Sequence, residues 1–285
     1  MSETPVWSVV IPTRDRPREL ATCLRCLAPG TQTLPAAMYE VIVSDDGDFL
    51  ASESQVRARY PWARHVRGPQ RGSAANRNTG AQAATGRWIV FADDDVVPSV
   101  GWLAAYATAA GEELVLEGRT TCESGLPSPL YHAPENNTGG VLWSCNFAIR
   151  HDLFTALGGF DEGFPFPHME DADLRQRVLA TGTALRWVPE ASVDHPPRRQ
   201  PAALRLGAYR AAEVRFLYKH GAVRPVRWRM MRNLLLSRLV TIRTRPKGID
   251  TVRALGALLV EFTYVFLHAG AWERASAAEF PPRRP

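Results

Sequence analysis

Residues 88–98 read Trp88-Ile89-Val90-Phe91-Ala92-Asp93-Asp94-Asp95-Val96-Val97-Pro98. An apolar, partly β-branched run of this length reads as a buried strand. Three consecutive carboxylates at its end raise one another's free energy unless something positive lies against them. The stretch therefore predicts a strand running to residue 91 and, just beyond it, an acidic edge that takes a cation.

Three runs of the same kind precede it, at residues 7–12, 40–44 and 64–67, and they alternate with helix-like segments at 16–27, 51–60 and 73–84. Pro17 opens the first helix and Gly86 follows the last, as helix boundaries often do. This alternation predicts an α/β fold whose mixed, mostly parallel sheet is flanked by helices. In such sheets ligands bind beyond the carboxyl ends of the strands. Pro12-Thr13-Arg14-Asp15, Asp45-Asp46-Gly47-Asp48 and the aspartate triplet all fall there.

Past residue 98 the pattern predicts a helix over 99–111, a strand over 114–119 and a Pro/Gly/Asn-rich loop over 124–140, long enough to be a lid or a binding loop. It then predicts a strand over 141–149, helices over 152–157 and 171–180, and a strand over 184–188 leading to Ser192-Val193-Asp194-His195. Pro196-Pro197 and Arg198-Arg199 mark a composition shift. The expected division is a domain over 1–195 and a basic, amphipathic helical region over 196–285.

The 285 residues, 45% of them hydrophobic, are enough for a substantial core and exclude a disordered chain. The net charge of +5 is unevenly spread: residues 1–195 hold 16 Arg against 24 Asp and Glu, whereas 196–285 hold 18 Lys and Arg against 5 acids. Within 224–272, Arg224, Arg227, Arg229, Arg232, Arg238, Arg243 and Arg245 interleave with Trp228, Met230 and Met231, and an apolar stretch at 251–272 is broken by Arg253, Glu261 and His268. These charges argue against an ordinary spanning helix, and an interfacial element on anionic lipid is expected, a core helix being the other reading. The four cysteines have no disulfide-scaffold density, which suits a reducing cytoplasm. Cys23 and Cys26 sit inside a predicted helix and read as packing residues. No charged-then-apolar leader opens the chain, so the expected location is cytoplasmic, peripheral at the inner face of the membrane.

The polar clusters suggest a chemistry. Hard carboxylate oxygens suit Mg²⁺ or Mn²⁺, ions often completed by substrate phosphates. Asp45 and Asp46 can accept a hydrogen bond from a base or a ribose. The segment Arg71-Gly72-Ser73-Ala74-Ala75-Asn76-Arg77 opens a helix and can hold a phosphate or steady the acidic cluster. Glu170-Asp171, at the mouth of a helix, offers a general base, and His195 a neutral imidazole ligand.

Taken together, SVVIPTRDRP, VIVSDDGD, RGSAANRNTGAQAATGRWIVFADDD, NFAIRHDLFTALGGFDE and EDADLRQRVLATG, followed by a strand ending in His195, resemble the family 2 glycosyltransferases over residues 6–195. The resemblance implies a GT-A fold, an inverting mechanism and a nucleoside-diphosphate sugar as donor. It implies that Pro12, Thr13, Arg14 and Asp46 hold the base, with Asp45, Arg71, Asn76, Arg77, Asp93 and Asp94 also on the donor side. Asp95 and His195 would take Mn²⁺ or Mg²⁺, and Asp171 would deprotonate an acceptor hydroxyl on a glycan, a lipid-linked sugar or a small molecule. Asn146, Gly159, Phe160 and Glu170 would line the sugar and acceptor side. This chain has Arg14-Asp15 where members often have Tyr-Asn, and Asp48 where they have Ser or Thr, so the donor nucleotide is left open. A sugar-phosphate nucleotidyltransferase is a rival, but the loop after the first strand lacks the glycines it needs. A donor-binding protein without catalysis is another. Nucleic acid is not expected as a partner.

Overall fold

The computed structural model describes residues 6–47, 56–222 and 225–281. These form two compact units by their internal contacts: one runs to Glu123 and includes Pro134–Gly163 and Glu170–Pro196, the other contains Ser124–Ala133, Phe164–Met169 and the chain from Pro197 onward.

The first unit is built on an eight-stranded sheet of order β3-β2-β1-β4-β8-β6-β9-β5. Its strands are β1 (Trp7–Thr13), β2 (Tyr39–Asp45), β3 (Ala63–Arg67), β4 (Trp88–Ala92), β5 (Val97–Pro98), β6 (Val115–Thr121), β8 (Asn146–Arg150) and β9 (Arg186–Asp194). The first four are mutually parallel, β8 is antiparallel to β4 and β6, and β9 is parallel to β6. The helices are α1 (Pro17–Leu27), α2 (Ser73–Ala83), α3 (Trp102–Ala109), α4 (His151–Ala156) and α5 (Glu170–Ala180).

The central strands alternate between two apolar layers, one on each face of the sheet. Val9, Ile11, Val41, Val43 and Val90 join Leu20, Leu24 and Trp102 on one side. Val10, Ile42, Ile89, Phe91 and Phe147 join Phe154, Phe160, Leu174 and Val178 on the other. Cys23 lies in the first layer, as a packing residue should. Trp7 and Trp88 stack at 5.3 Å at the start of β1 and β4.

The strand order positions the site. β1 turns outward to β2 and β3 on one side, while β4 joins it on the other, so the order reverses between β1 and β4. The β1–β4 ladder runs from Trp7–Trp88 to Val10–Phe91. Beyond it, β1 continues beside β2 to Thr13–Asp45, and β4 continues beside β8 to Ala92–Asn146. Two strands that part at a reversal of order leave a crevice at their carboxyl ends. The Asp93–Asp95 triplet is on its rim.

Three sequence expectations are corrected. The strand predicted over 141–149 starts only at Asn146, because the backbone before it turns to meet a buried carboxylate. Glu117 accepts N–H bonds from Gly140 (2.5 Å), Val141 (2.8 Å) and Leu142 (2.5 Å), and another from the Asn136 amide (2.9 Å). Leu142 takes φ 55° to reach it. The last strand is longer than predicted and carries Ser192-Val193-Asp194 on a register shift at Gly118/Arg119, where β5 also pairs with it. Gly118 is needed at that shift: a side chain there would collide with the Ala191 carbonyl and the Asn146 amide. The 124–140 segment is divided between the units, its first ten residues in the second. Of the predicted 51–60 helix, residues 56–59 are helical and 51–55 lie outside the described residues, as does Asp48.

The second unit contains α6 (Ala203–Lys219), α7 (Arg227–Thr244) and α8 (Ile249–Glu279), with a small antiparallel pair, β7 (Tyr131–His132) and β10 (Arg198–Arg199). Its core gathers Val214, Met230, Met231, Leu234, Val265 and Ala269. Buried Glu261 is held by Arg210 at 3.1 Å and Arg238 at 3.0 Å, and Glu273 accepts the Val226 and Arg227 N–H groups at the start of α7. Buried carboxylates keep their charge only with such partners.

Glu117→Ala leaves three backbone N–H groups unpaired. It should lower stability by about 2–4 kcal/mol and open the 134–142 segment to proteolysis. Denaturant unfolding with and without limited proteolysis checks this, and a variant as stable and resistant as wild type contradicts the assigned role.

Candidate active site

The aspartate triplet divides its partners. Asp94 accepts from the Thr13 hydroxyl at 2.7 Å, which ties the end of β1 to the turn after β4 across the crevice. Arg16 bonds Asp94 and Asp95 with separate guanidinium nitrogens, each at 2.6 Å. Arg77, from the first turns of α2, bonds Asp93 at 2.7 Å and Glu170 at 3.1 Å. Ser73 donates to the same Glu170 oxygen at 3.1 Å. Two arginines therefore answer much of the repulsion that the sequence raised.

Buried Asp94 and Glu170 are each pushed up to about 7. For Asp94 the cause is burial, opposed by Arg16, with Asp95 adding to the rise. For Glu170 it is burial, then the neighbouring Asp171 charge, against which Arg77 and Ser73 work. The Arg77 bridge is therefore under electrostatic load, and its position joins the triplet to the N-terminus of α5. Asp171 follows directly. It is half-buried, and its carboxylate accepts the Ala172 N–H at 2.8 Å and the Ser144 N–H at 3.4 Å.

His195, at the end of β9, is fully buried and its Nδ1 lies 3.0 Å from the Pro196 carbonyl. A carbonyl only accepts, so Nδ1 carries the hydrogen and Nε2 of the neutral ring presents a lone pair. Asp95 Oδ1 is 3.4 Å from that Nε2. Two acceptors facing at this distance need a proton or a metal ion between them. Asp93, Asp95 and His195 each offer one ligand atom, all within 4.8 Å of one another. Two carboxylate oxygens and one imidazole nitrogen fit an octahedral cation such as Mn²⁺ with positions left for other oxygens. Asp93, expected on the donor side, is thus on Arg77 and in the candidate metal set together.

The second strand's carboxylates are also fixed. Asp45 accepts the Gly47 N–H at 2.7 Å and lies 3.3 Å from buried His65. Asp46 accepts the Gln70 N–H at 2.8 Å, and burial raises its pKa. Asn76 receives the Ser44 hydroxyl at 2.6 Å and donates to the Thr13 and Ser44 carbonyls, so it ties α2 to both strand ends. These links require Gly68, where a side chain would collide with Asp46 and Asn76. Pro12 is half-buried on β1. Arg14 is exposed, paired only loosely with Asp15 at 3.7 Å, and exposed Arg71 pairs with Glu162 at 2.9 Å.

Two residues expected on the sugar and acceptor side are spent inside the protein. Asn146 accepts from Trp102 Nε1 (2.8 Å) and Tyr106 OH (2.7 Å) and donates to the Arg119 (2.8 Å) and Ala191 (3.0 Å) carbonyls, so its amide is fully used in packing. Phe160 is 1% exposed within the Phe91, Phe147 and Phe154 cluster, while Gly159, at φ 70°, lets the turn close on Asn78. Glu170 faces Arg77 and is equally buried.

Sequence reading passed over Arg16 and Glu117. Asp15 sits at φ 54° and reverses the chain, which turns Arg14 outward and Arg16 onto the triplet. A positive φ at a non-glycine residue leaves no mark that distinguishes two neighbouring arginines in sequence.

The family model described as "Glycosyl transferase family 2" matches residues 8–154. A similar curated protein is the pre-mycofactocin glycosyltransferase of Mycobacterium tuberculosis, 30% identical over 68% of this chain and 43% of that protein, so the chain spans less than half of that relative. Among solved structures, the mannosyltransferase PcManGT of Pyrobaculum calidifontis, in complex with GDP-Man and Mn²⁺, has a TM-score of 0.55 at 19% identity, covering 97% of this chain and 76% of that one. S. aureus TarS 1-349 has a TM-score of 0.56 at 16% identity, covering 95% and 88%. These neighbours are GT-A glycosyltransferases, and the curled, mostly parallel sheet flanked by helices is their fold.

A carboxyl group whose pKa is higher folded than unfolded binds more protons in the folded state between the two values, so stability falls as pH rises through that window. For Glu170 the window runs from its ordinary 4.5 to about 7. Wild type should therefore lose about 2 kcal/mol from this group between pH 5 and pH 7, and Glu170→Gln should show a correspondingly flatter profile. Parallel pH profiles for the two proteins in thermal or urea unfolding would contradict the assignment.

Proposed function

Since this chain belongs to glycosyl transferase family 2, we propose that it is an inverting, metal-dependent glycosyltransferase that moves a sugar from a nucleoside-diphosphate donor to an acceptor hydroxyl. The observation that carries the reading is the convergence at the crevice of Asp93, Asp95 and His195 on one side and, through the Arg77 bridge, the Asp171 helix terminus on the other. The transfer is assigned to residues 1–195 and placed in the cytoplasm, at the inner face of the membrane.

In this reading the donor's base and ribose lie over the ends of β1 and β2, near Pro12, Thr13, Arg14, Asp45 and Asp46. Asn76 and Thr13 act on the donor indirectly, by holding those strand ends together. A bound Mn²⁺ or Mg²⁺ supplies positive charge that offsets the negative charge developing on the leaving diphosphate. The imidazole among the ligands favours Mn²⁺, since Mg²⁺ prefers an all-oxygen shell. Its presence beside GDP-Man in PcManGT is in keeping with this choice. Arg16 and Arg77 hold the triplet's carboxylates in place before any ion arrives, at the cost of competing with it for Asp95 and Asp93.

Asp171 takes the proton of the acceptor hydroxyl, and the oxygen forms a bond to the anomeric carbon as the bond to the diphosphate oxygen breaks on the opposite face. The electron pair leaves with the diphosphate, so the anomeric configuration inverts. Asp171 suits the role because the Ala172 N–H in its own helix's first turn and a longer bond from the Ser144 N–H orient its carboxylate, which is half-buried at the helix mouth. Glu170 is the positioning partner. Its bond to Arg77 fixes the start of α5 relative to the triplet.

Two substitutions separate binding from chemistry. Asp95→Asn should abolish the Mn²⁺-dependent thermal stabilisation given by a matching UDP-, GDP- or dTDP-sugar. Asp171→Asn should keep that stabilisation and lower transfer by about 10²–10⁴-fold. A fully active Asp171→Asn removes it from the base role, and stabilisation by donor that does not depend on metal removes the metal from the reading.

A further inference from the structure

The last two helices carry an apolar face that the protein's own core does not use. On α8, the buried stripe is Ala254, Leu258, Glu261, Val265 and Ala269, at the three- and four-residue spacing of one helix face. Leu255, Leu259 and Phe266, at i, i+4 and i+11, lie on another stripe and are 47%, 68% and 57% exposed. On α7, Trp228 and Leu239 are 60% and 42% exposed at the same eleven-residue spacing. The Trp228 and Phe266 rings meet at 6.4 Å, so the exposed stripes of the two helices adjoin. Isolated exposed apolar residues are ordinary, but a two-helix face of large aliphatic and aromatic groups, about 17 Å long from the 1.5 Å rise, is not.

The polar residues around this face have one sign. Arg232 and Arg243 share the Trp228–Leu239 stripe, and Arg227 covers the Trp228 ring at 5.4 Å. Between residues 225 and 270 there are seven arginines and one lysine against Asp250 and Glu261, and Glu261 is buried between Arg210 and Arg238. An apolar stripe with aromatic residues and a basic border matches an anionic lipid surface, where acyl chains take the aliphatic groups and phosphates take the guanidinium groups.

We propose that the α7–α8 hairpin docks in the plane of an anionic bilayer, with the Trp228–Phe266 face inward and Arg232 and Arg243 among the lipid phosphates. Charge selects this occupant over a second copy of the chain. A two-fold contact through the face would set the same arginines against each other, with no acidic residue on the face to answer them. The hairpin lies on the membrane rather than through it. By length and composition α8 could cross a bilayer, but its opposite face carries Glu261 and Glu273, fixed to Arg210, Arg238 and the start of α7. A crossing would have to tear out those bonds or bury the charges in hydrocarbon.

The test uses the full chain and vesicles, and its readout does not depend on transfer chemistry, so it can fail while the proposed function stands. Wild type should float with phosphatidylcholine vesicles containing about one third phosphatidylglycerol and not with phosphatidylcholine alone, and should be released as salt rises from about 0.1 to about 0.5 M. Brominated acyl chains should quench a part of the tryptophan emission that is absent in Trp228→Phe. Leu255→Glu with Leu259→Glu, and separately Arg232→Glu with Arg243→Glu, should each weaken binding about tenfold or more. These side chains are exposed, and an unchanged melting temperature verifies that each variant folds. Three results overturn the proposal: no binding to either vesicle; binding that both double variants retain; or concentration-dependent dimers in sedimentation velocity that Leu255→Glu with Leu259→Glu dissolves, which assigns the face to a second copy. Binding that resists salt and alkaline carbonate assigns α8 to a span instead and equally contradicts it.

Discussion

The first unit is organised around one electrostatic problem. Three carboxylates stand at the end of a buried strand, where a low dielectric makes their mutual repulsion expensive. Each is met by a cation drawn from a different part of the chain: Arg16 from the turn after β1 for Asp94 and Asp95, and Arg77 from α2 for Asp93. His195, from the far end of the sheet, closes on Asp95. These partners are 16 to 100 residues or more from the triplet in sequence, so the fold must be in place before the charges can be satisfied. Neutralisation also brings a strand end, two helix ends and a histidine to one crevice, and the site is the consequence.

The same arrangement leaves the charge incompletely answered. Asp94 and Glu170 are both held near 7, which marks burial that the arginines do not fully offset. A divalent ion among Asp93, Asp95 and His195 would complete the compensation, and the tautomer set by the Pro196 carbonyl prepares His195 for it. The site is thus built with its carboxylates oriented and its imidazole lone pair aimed, so that little needs to move when a cation and a diphosphate arrive.

Much of this was legible in the sequence. The four apolar runs and the glycine and proline punctuation marked the strands β1–β4 of a mostly parallel sheet, and the position of Asp93–Asp95 at a strand end marked the edge where Arg16, Arg77 and His195 gather. Arg77 was marked as able to steady the acidic cluster, and it does so. Other features were hidden because they depend on long-range geometry. Residues 141–145 read as strand, but Glu117 draws the Val141 and Leu142 amides, with that of Gly140, away from a ladder. Asn146 and Phe160 looked like pocket residues because of their neighbours in sequence, whereas packing against Trp102, Tyr106 and the phenylalanine cluster turns both inward. Arg16 was indistinguishable from Arg14 until the backbone reversal at Asp15 became visible.

The central claim is that Asp93, Asp95 and His195 form one metal site that holds a nucleoside diphosphate. Pulsed electron paramagnetic resonance of Mn²⁺ added to the protein with a nucleoside diphosphate tests it at the ligand atoms themselves. The account predicts nitrogen modulation from a directly bound imidazole that is lost in His195→Ala, together with phosphorus coupling from the diphosphate. Bound Mn²⁺ that shows no imidazole coupling, or whose spectrum is the same in His195→Ala, would contradict it.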